Sequence, residues 1–288
     1  MKLRKSLLLV SAALFAVNCA NISKESLQTQ GSDTATNGGG GAPTYTTGLY
    51  VFDAVIAAPG HTGSGVCNQA NAVNGIRGAG WGAGSFDVFS LDNPGGTACS
   101  GASTHLTLRL NGKKVLNGSG ADFIVYENGF YISGNPSTRF MDLIIVEVSN
   151  DDAHYCGFAP DYTYTPETSY SNNPAYWQRF AGKTPVNYNV DVAARNYTVS
   201  ELFTDADADK QGDLGGGDLF DLDDLSDSDS FGIGCSTALR DELKTNGFTY
   251  LRLTPAARRN NPDTGAAFVK EPISNGPDID GAVARYAE

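Results

Sequence analysis

Histidine is scarce in this chain, and the short sequence patterns of common enzymes are absent from it. The 288 residues include three histidines, His61, His105 and His154, and no C-x-x-C, G-x-S-x-G or H-E-x-x-H pattern occurs. Zinc sites and metalloproteases need such ligand spacings, and many hydrolases need the serine pattern. The sequence therefore predicts a protein that is not an enzyme.

Positive charge is also in short supply. Lysine and arginine together number 20 against 32 aspartates and glutamates, which gives a formal net charge of −12. Nucleic acids and anionic lipid surfaces attract basic proteins, so this balance argues against both as partners through bulk electrostatics. An acidic chain suits the binding of divalent cations, and it also favours solubility. Both interpretations can hold together.

Long amphipathic helical patterns and internal repeats are absent as well, while glycine is abundant with 34 residues. Short β-branched or aromatic runs recur instead between Gly, Asn, Pro and Asp, which is the pattern of strands. Residues 143–148 are apolar almost without a break, as expected for a central strand buried on both faces. These features predict an all-β fold, an antiparallel β-sandwich of jelly-roll type with long loops. The predicted strands are 50–57, 86–91, 105–110, 122–126, 142–149 and 250–253, and short helices are predicted at 236–245 and near Ser200.

The N-terminus has the features of an exported lipoprotein. Three basic residues among the first five precede an apolar run at 6–17 that is too short to span a bilayer permanently. Cys19 follows where a soluble secreted protein would usually carry an A-x-A-like cleavage site. The arrangement resembles the lipobox of bacterial lipoproteins, and Asn18 before the cysteine resembles its looser spirochaetal form. We expect a signal peptide at 1–18, lipidation (palmitate) of Cys19, and an outer-membrane location facing the cell surface or the periplasm; an ordinary buried cysteine is the alternative.

The segment after the cysteine has a composition that does not favour folding. Residues 19–44 are rich in Ser, Thr, Asn, Gln and Gly, and they include four consecutive glycines at 38–41. Such a segment cannot bury enough apolar surface to fold, so it predicts a flexible tether. Residues 45–288 fall within the length of a single large β-sandwich domain.

Four cysteines follow Cys19, and their even number suggests disulfides. Outside the reducing cytosol they would form two bonds, with three possible connectivities. We favour Cys67–Cys99 and Cys156–Cys235 because each pair would join neighbouring loops, although sequence alone leaves the other pairings open. Metal ligation is the alternative interpretation, and the lack of a C-x-x-C pair argues against zinc.

An acidic stretch near residue 210 is the strongest local signal for a ligand. Asp205, Asp207 and Asp209 alternate along the chain, so their carboxylates would come close together in a turning loop. Ca²⁺ takes six to eight oxygen ligands, and the spacing matches the first half of an EF-hand loop. The glycine and the glutamate of that loop are missing, so this is not an EF-hand. A looser calcium loop closed by Asp213 is one interpretation, and a solvated acidic loop is the other.

A series of sequence patterns resembles a family of bacterial cell-surface and secreted proteins. The segments read GSGADFIVYENGF at 118–130, VEVSND at 146–151, AGKTPV at 181–186, GGDLFDL at 216–222 and DIDGAVA at 278–284. The family carries D-F-x-V-F-E-N, V-E-V-S-x-D-G, G-G-D-x-F-D-L and D-x-D-A-V-A in the same order. The match spans about 50–284, and together with the lipobox it resembles a spirochaetal, leptospiral-type surface lipoprotein. Asp152 stands where that family has a glycine.

The resemblance implies a β-sandwich surface domain, and it marks acidic residues near strand ends. Acidic residues at strand ends of such a fold often converge on one edge, so we expect a shared Ca²⁺ site. Capping of turns is the alternative for Asp221 and Asp280, and a solvated position beside an Asn-Gly turn is the alternative for Glu127. The candidate ligands are Asp122, Glu127, Asp218, Asp221, Asp278 and Asp280.

A tyrosine-rich segment supplies candidate ligand-binding residues. Tyr162, Tyr164 and Trp177 are expected to provide a recognition surface, with the tyrosines on surface loops, whereas Trp81 is expected in the core. Positions in the core of the sandwich are the alternative for several aromatic residues of this segment. Together with the tether, these residues favour a non-catalytic binding protein, an adhesin for host extracellular-matrix or plasma proteins. A carbohydrate-binding module is the alternative, because jelly-roll domains with structural calcium often have that function. A glycoside-acting hydrolase is the third hypothesis.

Overall fold

The structure describes most of the chain beyond the predicted tether. This computed structural model covers residues 48–59, 63–96, 99, 104–226 and 229–288. The predicted signal peptide at 1–18, the lipidation site Cys19, the tether at 19–44 and His61 lie outside these residues. Within them strands far outnumber helices, and no described helix has the length and apolar character needed to cross a membrane.

Sixteen strands are found in the described residues, and most of them are short. In chain order they are β1 (Tyr50–Val51), β2 (Ala54–Ala57), β3 (Gly78–Gly80), β4 (Gly84–Ser85), β5 (Phe89–Ser90), β6 (Leu106–Arg109), β7 (Phe123–Glu127), β8 (Phe130–Ile132), β9 (Asn135–Phe140), β10 (Ile144–Ser149), β11 (Cys156–Gly157), β12 (Asp161–Tyr162), β13 (Trp177–Gln178), β14 (Asp218–Phe220), β15 (Tyr250–Pro255) and β16 (Asp278–Ala284).

Two α-helices and six 3-10 turns complete the described elements. They are α1 (Val199–Leu202), α2 (Thr237–Asn246) and the 3-10 turns Gly65–Cys67, Gln69–Val73, Pro174–Tyr176, Ala193–Arg195, Leu222–Asp224 and Ala256–Arg258. Both helices begin at capping residues: the side chain of Thr198 accepts the N–H of Glu201 before α1, and the side chain of Ser236 accepts the N–H of Leu239 before α2. The two helices predicted from the sequence are thus confirmed.

Two five-stranded antiparallel sheets form the framework. The first sheet has the order β1-β16-β7-β14, with β5 also paired to β16, and the second has the order β11-β10-β15-β6-β2. With the flanking strands β2 and β5 set aside, eight strands remain. When these eight strands are numbered from one to eight along the chain, the strand order is 1-8-3-6 across the first sheet and 2-7-4-5 across the second. This is the strand order of a jelly roll, so the predicted all-β sandwich is confirmed.

The central strands are buried on both faces because apolar clusters lie on either side of each sheet. Along β7, Phe123 and Val125 belong to the core between the sheets, whereas Ile124 and Tyr126 belong to a cluster on the outer face of the first sheet. Strand β10 alternates in the same way between the inner core and a cluster on the outer face of the second sheet. Successive side chains point to opposite faces, so a strand covered on both sides reads as a continuous apolar run.

Two long connections cover the outer faces of the sandwich. Residues 186–203, the first cover segment, place Tyr188 and Leu202 against the first sheet. Residues 162–180, the second cover segment, place Trp177 and Phe180 against the second sheet. Each large side chain buried in this way contributes roughly 1.5–3 kcal/mol, so the covers are part of the folded core.

The two disulfides have the pairing that the sequence analysis favoured. Cys67 pairs with Cys99 and Cys156 pairs with Cys235, which confirms the favoured connectivity. The second bond joins β11 to the residue before the N-cap of α2, and so it attaches that helix to the edge of the second sheet. Cys156 and Cys235 are themselves members of the inner core.

All six predicted strands are strands in the structure, and the first of them is divided. Phe52 and Asp53 separate β1 from β2, so the run predicted at 50–57 contributes one strand to each sheet. The sequence analysis missed β14 and β16 as strands, although they flank β7 on either side. In β16 the register with β7 shifts at Gly281, which has φ 149°, and this bulge breaks the alternation that marks a strand.

The turn after β10 forms even though Asp152 stands where the resembled family has glycine. Asp152 has φ 58°, a left-handed conformation that aspartate tolerates better than most residues. The Ser149 hydroxyl accepts the N–H of Asp152 at 3.1 Å, and Asp151 accepts the N–H groups of Ala153 and His154 at 2.9 and 2.8 Å. These side-chain bonds hold the turn without a glycine.

Removing the Cys156–Cys235 bond, by Cys156→Ala with Cys235→Ala, is expected to lower the free energy of unfolding by about 4 kcal/mol. The bond joins cysteines 79 residues apart, and a loop of that length gains much entropy in the unfolded chain when released. Urea unfolding followed by circular dichroism measures the change. The equivalent removal of Cys67–Cys99, which spans 32 residues, should lower the free energy of unfolding slightly less. A double variant as stable as the parent would refute a stabilising role for the bond.

Candidate functional site

A cleft of about 430 Å³ opens between strand β9, the end of the second cover segment and the acidic loop. Most of the side chains that line it are polar or charged, and its volume lies in the range of pockets that bind small ligands. The polar members are Ser137, Arg139, Asn173, Gln178, Arg179, Lys183, Asp209, Lys210 and Gln211, and the apolar members are Pro136, Pro174, Ala175, Trp177 and Ala208.

Arg139 of β9 connects the walls of the cleft. Its Nε donates to the carbonyl of Pro136 at 2.7 Å, and its Nη1 donates to the carbonyl of Lys183 at 2.9 Å and to the side chain of Gln211. Arg139 is 8% exposed, and burial lowers its pKa. A planar guanidinium that is hydrogen-bonded through several of its N–H groups has one preferred orientation, so its other N–H groups also point in a fixed direction.

An aromatic pair lies beside Arg139. The rings of Trp81 and Tyr131 are stacked with centroids 5.8 Å apart, and the guanidinium carbon of Arg139 lies 5.3 Å from the Tyr131 ring centroid. Both aromatic side chains are half-buried, so the prediction that Trp81 lies in the core was wrong. Trp81 sits at the tip of the β3–β4 hairpin, and a hairpin tip leaves one side of a large ring in solvent.

Backbone conformations with positive φ are concentrated around the cleft. Three of the seven described non-glycine residues with positive φ line it: Arg179 at 59°, Ala208 at 60° and Lys210 at 61°. Such conformations cost of order 1 kcal/mol or more each, and in folded proteins they cluster at functional sites. The two loops that form the cleft are therefore held in specific, costly shapes.

The acidic loop forms one edge of the cleft, as Asp209 belongs to both. Carboxylate oxygens of Asp205, Asp207 and Asp209 lie within 4.8 Å of one another. Burial raises the pKa of Asp209 to about 6, and the charge of Asp207 adds to the effect. Oxygen donors at this spacing are suited to Ca²⁺, so the structure brings together three of the four residues predicted for this loop.

The fourth predicted loop residue, Asp213, has a different place. Its carboxylate accepts the N–H of Ala206 at 2.8 Å, and its own N–H donates to the carbonyl of Thr204 at 3.2 Å. Asp213 thus closes the base of the loop through the backbone, and it is not part of the three-carboxylate group.

Asp218 of β14, a predicted cation ligand, attaches the chain after the second cover segment to the first sheet. It accepts the N–H of Lys183 at 2.9 Å and the hydroxyl of Thr184 at 2.8 Å, and the Lys183 ammonium lies 3.9 Å away. Burial raises the pKa of Asp218, and Lys183 opposes that shift. These partners give Asp218 a structural role.

Asp122 and Asp221 also bind backbone groups of their own surroundings. Asp122 accepts the N–H groups of Gly118 and Leu222 at 2.7 and 2.8 Å, and burial raises its pKa to about 7. Asp221 caps the 3-10 turn that follows it by accepting the N–H of Asp223 at 2.9 Å. The turn-capping alternative therefore describes Asp221, and the two residues do not join the other predicted ligands.

Asp280, in the middle of β16, is completely buried. It accepts the N–H of Arg77 at 3.0 Å and the hydroxyl of Ser85 at 2.8 Å, so it connects the first sheet to the β3–β4 hairpin. Burial raises its pKa from 3.8 to about 7, with the bonds from Ser85 and Arg77 opposing the shift. Its position is that of a structural acceptor.

Glu127 and Asp278 are the pair of predicted sheet ligands that the structure brings together. The N–H of Asp278 donates to Oε1 of Glu127 at 3.1 Å, and the amide of Asn128 donates to the Asp278 carboxylate at 3.4 Å. Both residues lie at the ends of paired strands, Glu127 at the end of β7 and Asp278 at the start of β16. The backbone contact makes Glu127 and Asp278 neighbours at this end of the first sheet.

Asp142 and Glu271 lie in the same region, and the sequence analysis missed both. The Ser274 hydroxyl donates to Asp142 at 2.8 Å, and the Ser274 N–H donates to Glu271 at 2.6 Å. Burial raises the pKa of Tyr170, and the charges of Asp142, Glu271 and Glu127 add to the shift. Glu271 follows no recognisable pattern in the sequence, so no local signal marks it. Four carboxylate residues of this region, none more than 8% exposed, are together named the buried carboxylate cluster, although no three of them have oxygens within 4.8 Å of one another: Glu127, Asp142, Glu271 and Asp278.

The predicted aromatic recognition surface is largely core. Trp177 and Tyr162 are 0% and 2% exposed, and their ring centroids lie 3.7 Å apart. The Tyr162 hydroxyl donates to the carbonyl of Ser169 at 2.6 Å, and the Trp177 indole donates to the carbonyl of Ser171 at 2.9 Å. The surface placement of Tyr162 was wrong, and Trp177 has only an edge at the cleft, because this segment covers the second sheet. Tyr164 is half-buried.

Replacing Asp280 with asparagine is expected to flatten the pH dependence of stability between about pH 4 and pH 7. The folded-state pKa is raised, so the folded chain holds a proton that the unfolded chain releases. Stability from this group is present below pH 4 and is lost as the pH rises, by up to about 4 kcal/mol. Urea unfolding of the parent and of Asp280→Asn at several pH values measures it.

The matched control for this measurement is Asp263→Asn, which changes an exposed carboxylate outside the sheets. The control should keep the pH dependence of the parent. If Asp280→Asn and the parent lose stability in parallel from pH 4 to pH 7, the raised pKa of Asp280 is disproved.

Comparison with known proteins gives no assignment for this domain. No protein-family model, no curated protein and no solved structure matches the chain. The resemblance to spirochaetal surface lipoproteins therefore stays a prediction, together with the lipid anchor, the location and the partners. A jelly roll hosts many unrelated functions, so the function has to be argued from the chemistry of the cleft and its surroundings.

Proposed function

We propose that this chain is a non-catalytic binding protein of the bacterial cell surface whose cleft takes a carbohydrate. The observation that carries the proposal is the cleft of about 430 Å³, with its mostly polar lining. Pockets of this size bind small ligands through a few well-placed polar groups. The half-buried Trp81–Tyr131 pair beside Arg139 adds an aromatic surface of the kind on which sugar rings stack.

The set of residues in the cleft supports binding rather than hydrolysis. Among the described lining residues Asp209 is the one carboxylate, whereas glycosidases generally use two carboxyl groups. His105 and His154 do not line the cleft. Glu127, the residue considered for a hydrolase, is 1% exposed and belongs to the buried carboxylate cluster. A glycoside-acting hydrolase is accordingly the weaker candidate.

The proposal includes export and a lipid anchor on Cys19. The two disulfides account for the four cysteines after Cys19, and such bonds persist outside the reducing cytosol. This pairing supports export and leaves the N-terminal cysteine for lipid. More than one acyl chain is needed for firm attachment, which is the arrangement proposed here. The outer membrane is the proposed location, with the domain at the cell surface or on the periplasmic face.

Adhesion to a host matrix or plasma protein is the second candidate function. The tether and the surface location motivate it, but two of its three predicted contact residues, Tyr162 and Trp177, are buried. Stable protein interfaces are broad and bury about 1,200–2,000 Å². A cleft of about 430 Å³ whose lining residues are mostly polar or charged suits a sugar better than a flat protein surface, so the carbohydrate ligand ranks first.

We also propose that Ca²⁺ stabilises the domain. The support comes from two groups of carboxylates, the loop residues Asp205, Asp207 and Asp209 and the buried carboxylate cluster. In the loop, where the carboxylate oxygens lie within 4.8 Å of one another, the like charges repel, and the raised pKa of Asp209 reflects burial together with that repulsion. A cation with six to eight oxygen ligands would relieve the repulsion in the loop, and the buried carboxylate cluster is the second place that offers carboxylate oxygens.

Addition of millimolar Ca²⁺ is expected to raise the melting temperature of the full chain by several degrees over EDTA. A ligand that binds the folded state alone stabilises it by about 2.7 kcal/mol at one hundred times its Kd. Thermal unfolding followed by circular dichroism measures the shift. The variant Asp207→Asn should lose the rise if the loop binds the ion, and Glu127→Gln should lose it if the buried carboxylate cluster does.

Asp263→Asn is the control for the calcium measurement, since Asp263 is exposed and belongs to neither group. It should keep the full rise. A parent protein whose melting temperature is the same in Ca²⁺ and EDTA would refute stabilisation by calcium. It would leave carbohydrate binding untouched, because the cleft is built from protein groups.

A glycan array is expected to show saturable binding by the full chain, and filling the cleft should abolish it. Ala175 is exposed and lines the cleft, so Ala175→Trp places a large ring in the space that the ligand would use. Ala266→Trp is the matched control, because Ala266 is exposed and lies away from the cleft. We expect at least a tenfold loss for the first variant and none for the second.

Laminin, fibronectin and plasminogen on the same array test the second candidate. Binding to one of these proteins that survives Ala175→Trp, without binding to any glycan, would replace the carbohydrate function by adhesion. Turnover of any glycoside on the array would overturn the non-catalytic part of the proposal.

A further inference from the structure

The cleft gathers positive charge in a chain that is strongly acidic overall. Four cationic side chains line it, Arg139, Arg179, Lys183 and Lys210, against the single carboxylate of Asp209. The net charge of the chain is −12, and the carboxylates of Asp205 and Asp207 lie beside Asp209 at the edge of the cleft, so the positive charge is set among acidic residues. At physiological ionic strength the Debye length is about 8 Å, and a ligand in the cleft therefore responds mainly to these near charges.

The two lysines already have acidic partners. The Lys183 ammonium lies 3.9 Å from Asp218, and the Lys210 ammonium lies 3.1 Å from Asp224. Each of these pairs is close to neutral as seen from the cleft. The lysines therefore contribute little to the attraction of an anion, and the cations of the cleft without an ion pair among the described residues are the two arginines.

The two arginines have neutral partners among the described residues. Arg139 donates to the carbonyls of Pro136 and Lys183 and to the amide of Gln211, and no described carboxylate lies within 4.0 Å of it. Burial lowers its pKa, and the more distant charges of Asp218 and Asp209 oppose that shift in part. A buried guanidinium with neutral acceptors gains most from an added oxyanion, since charge-assisted bonds are the strong ones.

Arg179 lines the same cleft and is exposed. Its Nε donates to the carbonyl of Ala159 at 2.7 Å, and its described contacts leave the two terminal nitrogens for solvent. The backbone of Arg179 has φ 59°, a costly conformation that the fold maintains. The Nε of the guanidinium is held by the carbonyl of Ala159, and its terminal nitrogens face solvent.

We propose that the cleft binds the oxyanion of an acidic sugar, a carboxylate or a sulfate group, between Arg139 and Arg179. The inference rests on the proposed carbohydrate function and names the class of sugar. Planar guanidinium groups recognise such oxyanions with paired N–H bonds. Trp81 and Tyr131, stacked beside Arg139, provide an aromatic face for the ring of a neighbouring sugar unit.

Polygalacturonate and its fully methyl-esterified form test the inference, because esterification removes the carboxylate charge and keeps the sugar backbone. Heparin and desulfated, N-acetylated heparin form the equivalent pair for sulfate. The full chain in mild detergent should bind at least one charged polymer at least tenfold more tightly than its partner of lower charge. Its affinity should fall as sodium chloride is raised, as expected for an ionic contact.

Three variants separate the arginines from bulk charge. Arg179→Gln should weaken binding of the charged polymer at least tenfold, and Arg179→Lys should restore part of the loss. Arg139→Gln should weaken binding similarly, and a thermal unfolding curve shows whether that variant is folded. Lys270→Gln is the control, since it removes an exposed cation that does not line the cleft, and it should bind as the parent does.

The outcomes distinguish this inference from the proposed function. Equal binding to charged and uncharged polymers, or an unchanged affinity for Arg179→Gln, overturns the acidic-sugar ligand and leaves carbohydrate binding in place. Equal losses for Arg179→Gln and Lys270→Gln also overturn it, because they show bulk attraction. Absence of binding to every glycan refutes both.

Discussion

Burial of the central strands on both faces is the constraint on which the rest of the structure depends. In β7 and β10 every side chain is buried, so a two-layer sandwich would leave half of these apolar residues in water. The cover segments at 186–203 and 162–180 solve this problem by packing on the outer faces. They are irregular in conformation but belong to the core, and the cleft lies where the second of them ends against the acidic loop.

The parts of the fold that could be predicted from sequence are those with a local signal. Apolar runs bounded by turn residues marked six strands correctly, and the helices predicted at 236–245 and near Ser200 are both present. Strand β14 is three residues long and follows a glycine run, and β16 is interrupted by the bulge at Gly281, so neither has the pattern of a strand. The packing of the cover segments on the sheets was not predicted, for a different reason. Their aromatic residues look like a recognition surface until the sheet beneath them is known.

The candidate site was only partly accessible from sequence. The alternation of Asp205, Asp207 and Asp209 is local and was found, whereas the cleft combines side chains from three distant segments. Arg139 has an unremarkable sequence context, and its importance comes from acceptors far along the chain. Of the six sheet carboxylates, Asp122, Asp218 and Asp280 hold backbone and side-chain donors and Asp221 caps a turn. Satisfied acceptors of this kind cannot be told from metal ligands by residue type.

The residues of the cleft and the residues of the two main sheets are separate sets, which has a consequence for substitutions. Every wall of the cleft comes from a segment outside the two main sheets, with Arg139 as the common anchor of those walls. Substitutions at exposed positions such as Gln178 and Arg179 leave the hydrogen-bonded ladders of the jelly roll unchanged. Substitutions around the cleft therefore change the proposed binding surface while β7 and β10 retain the scaffold.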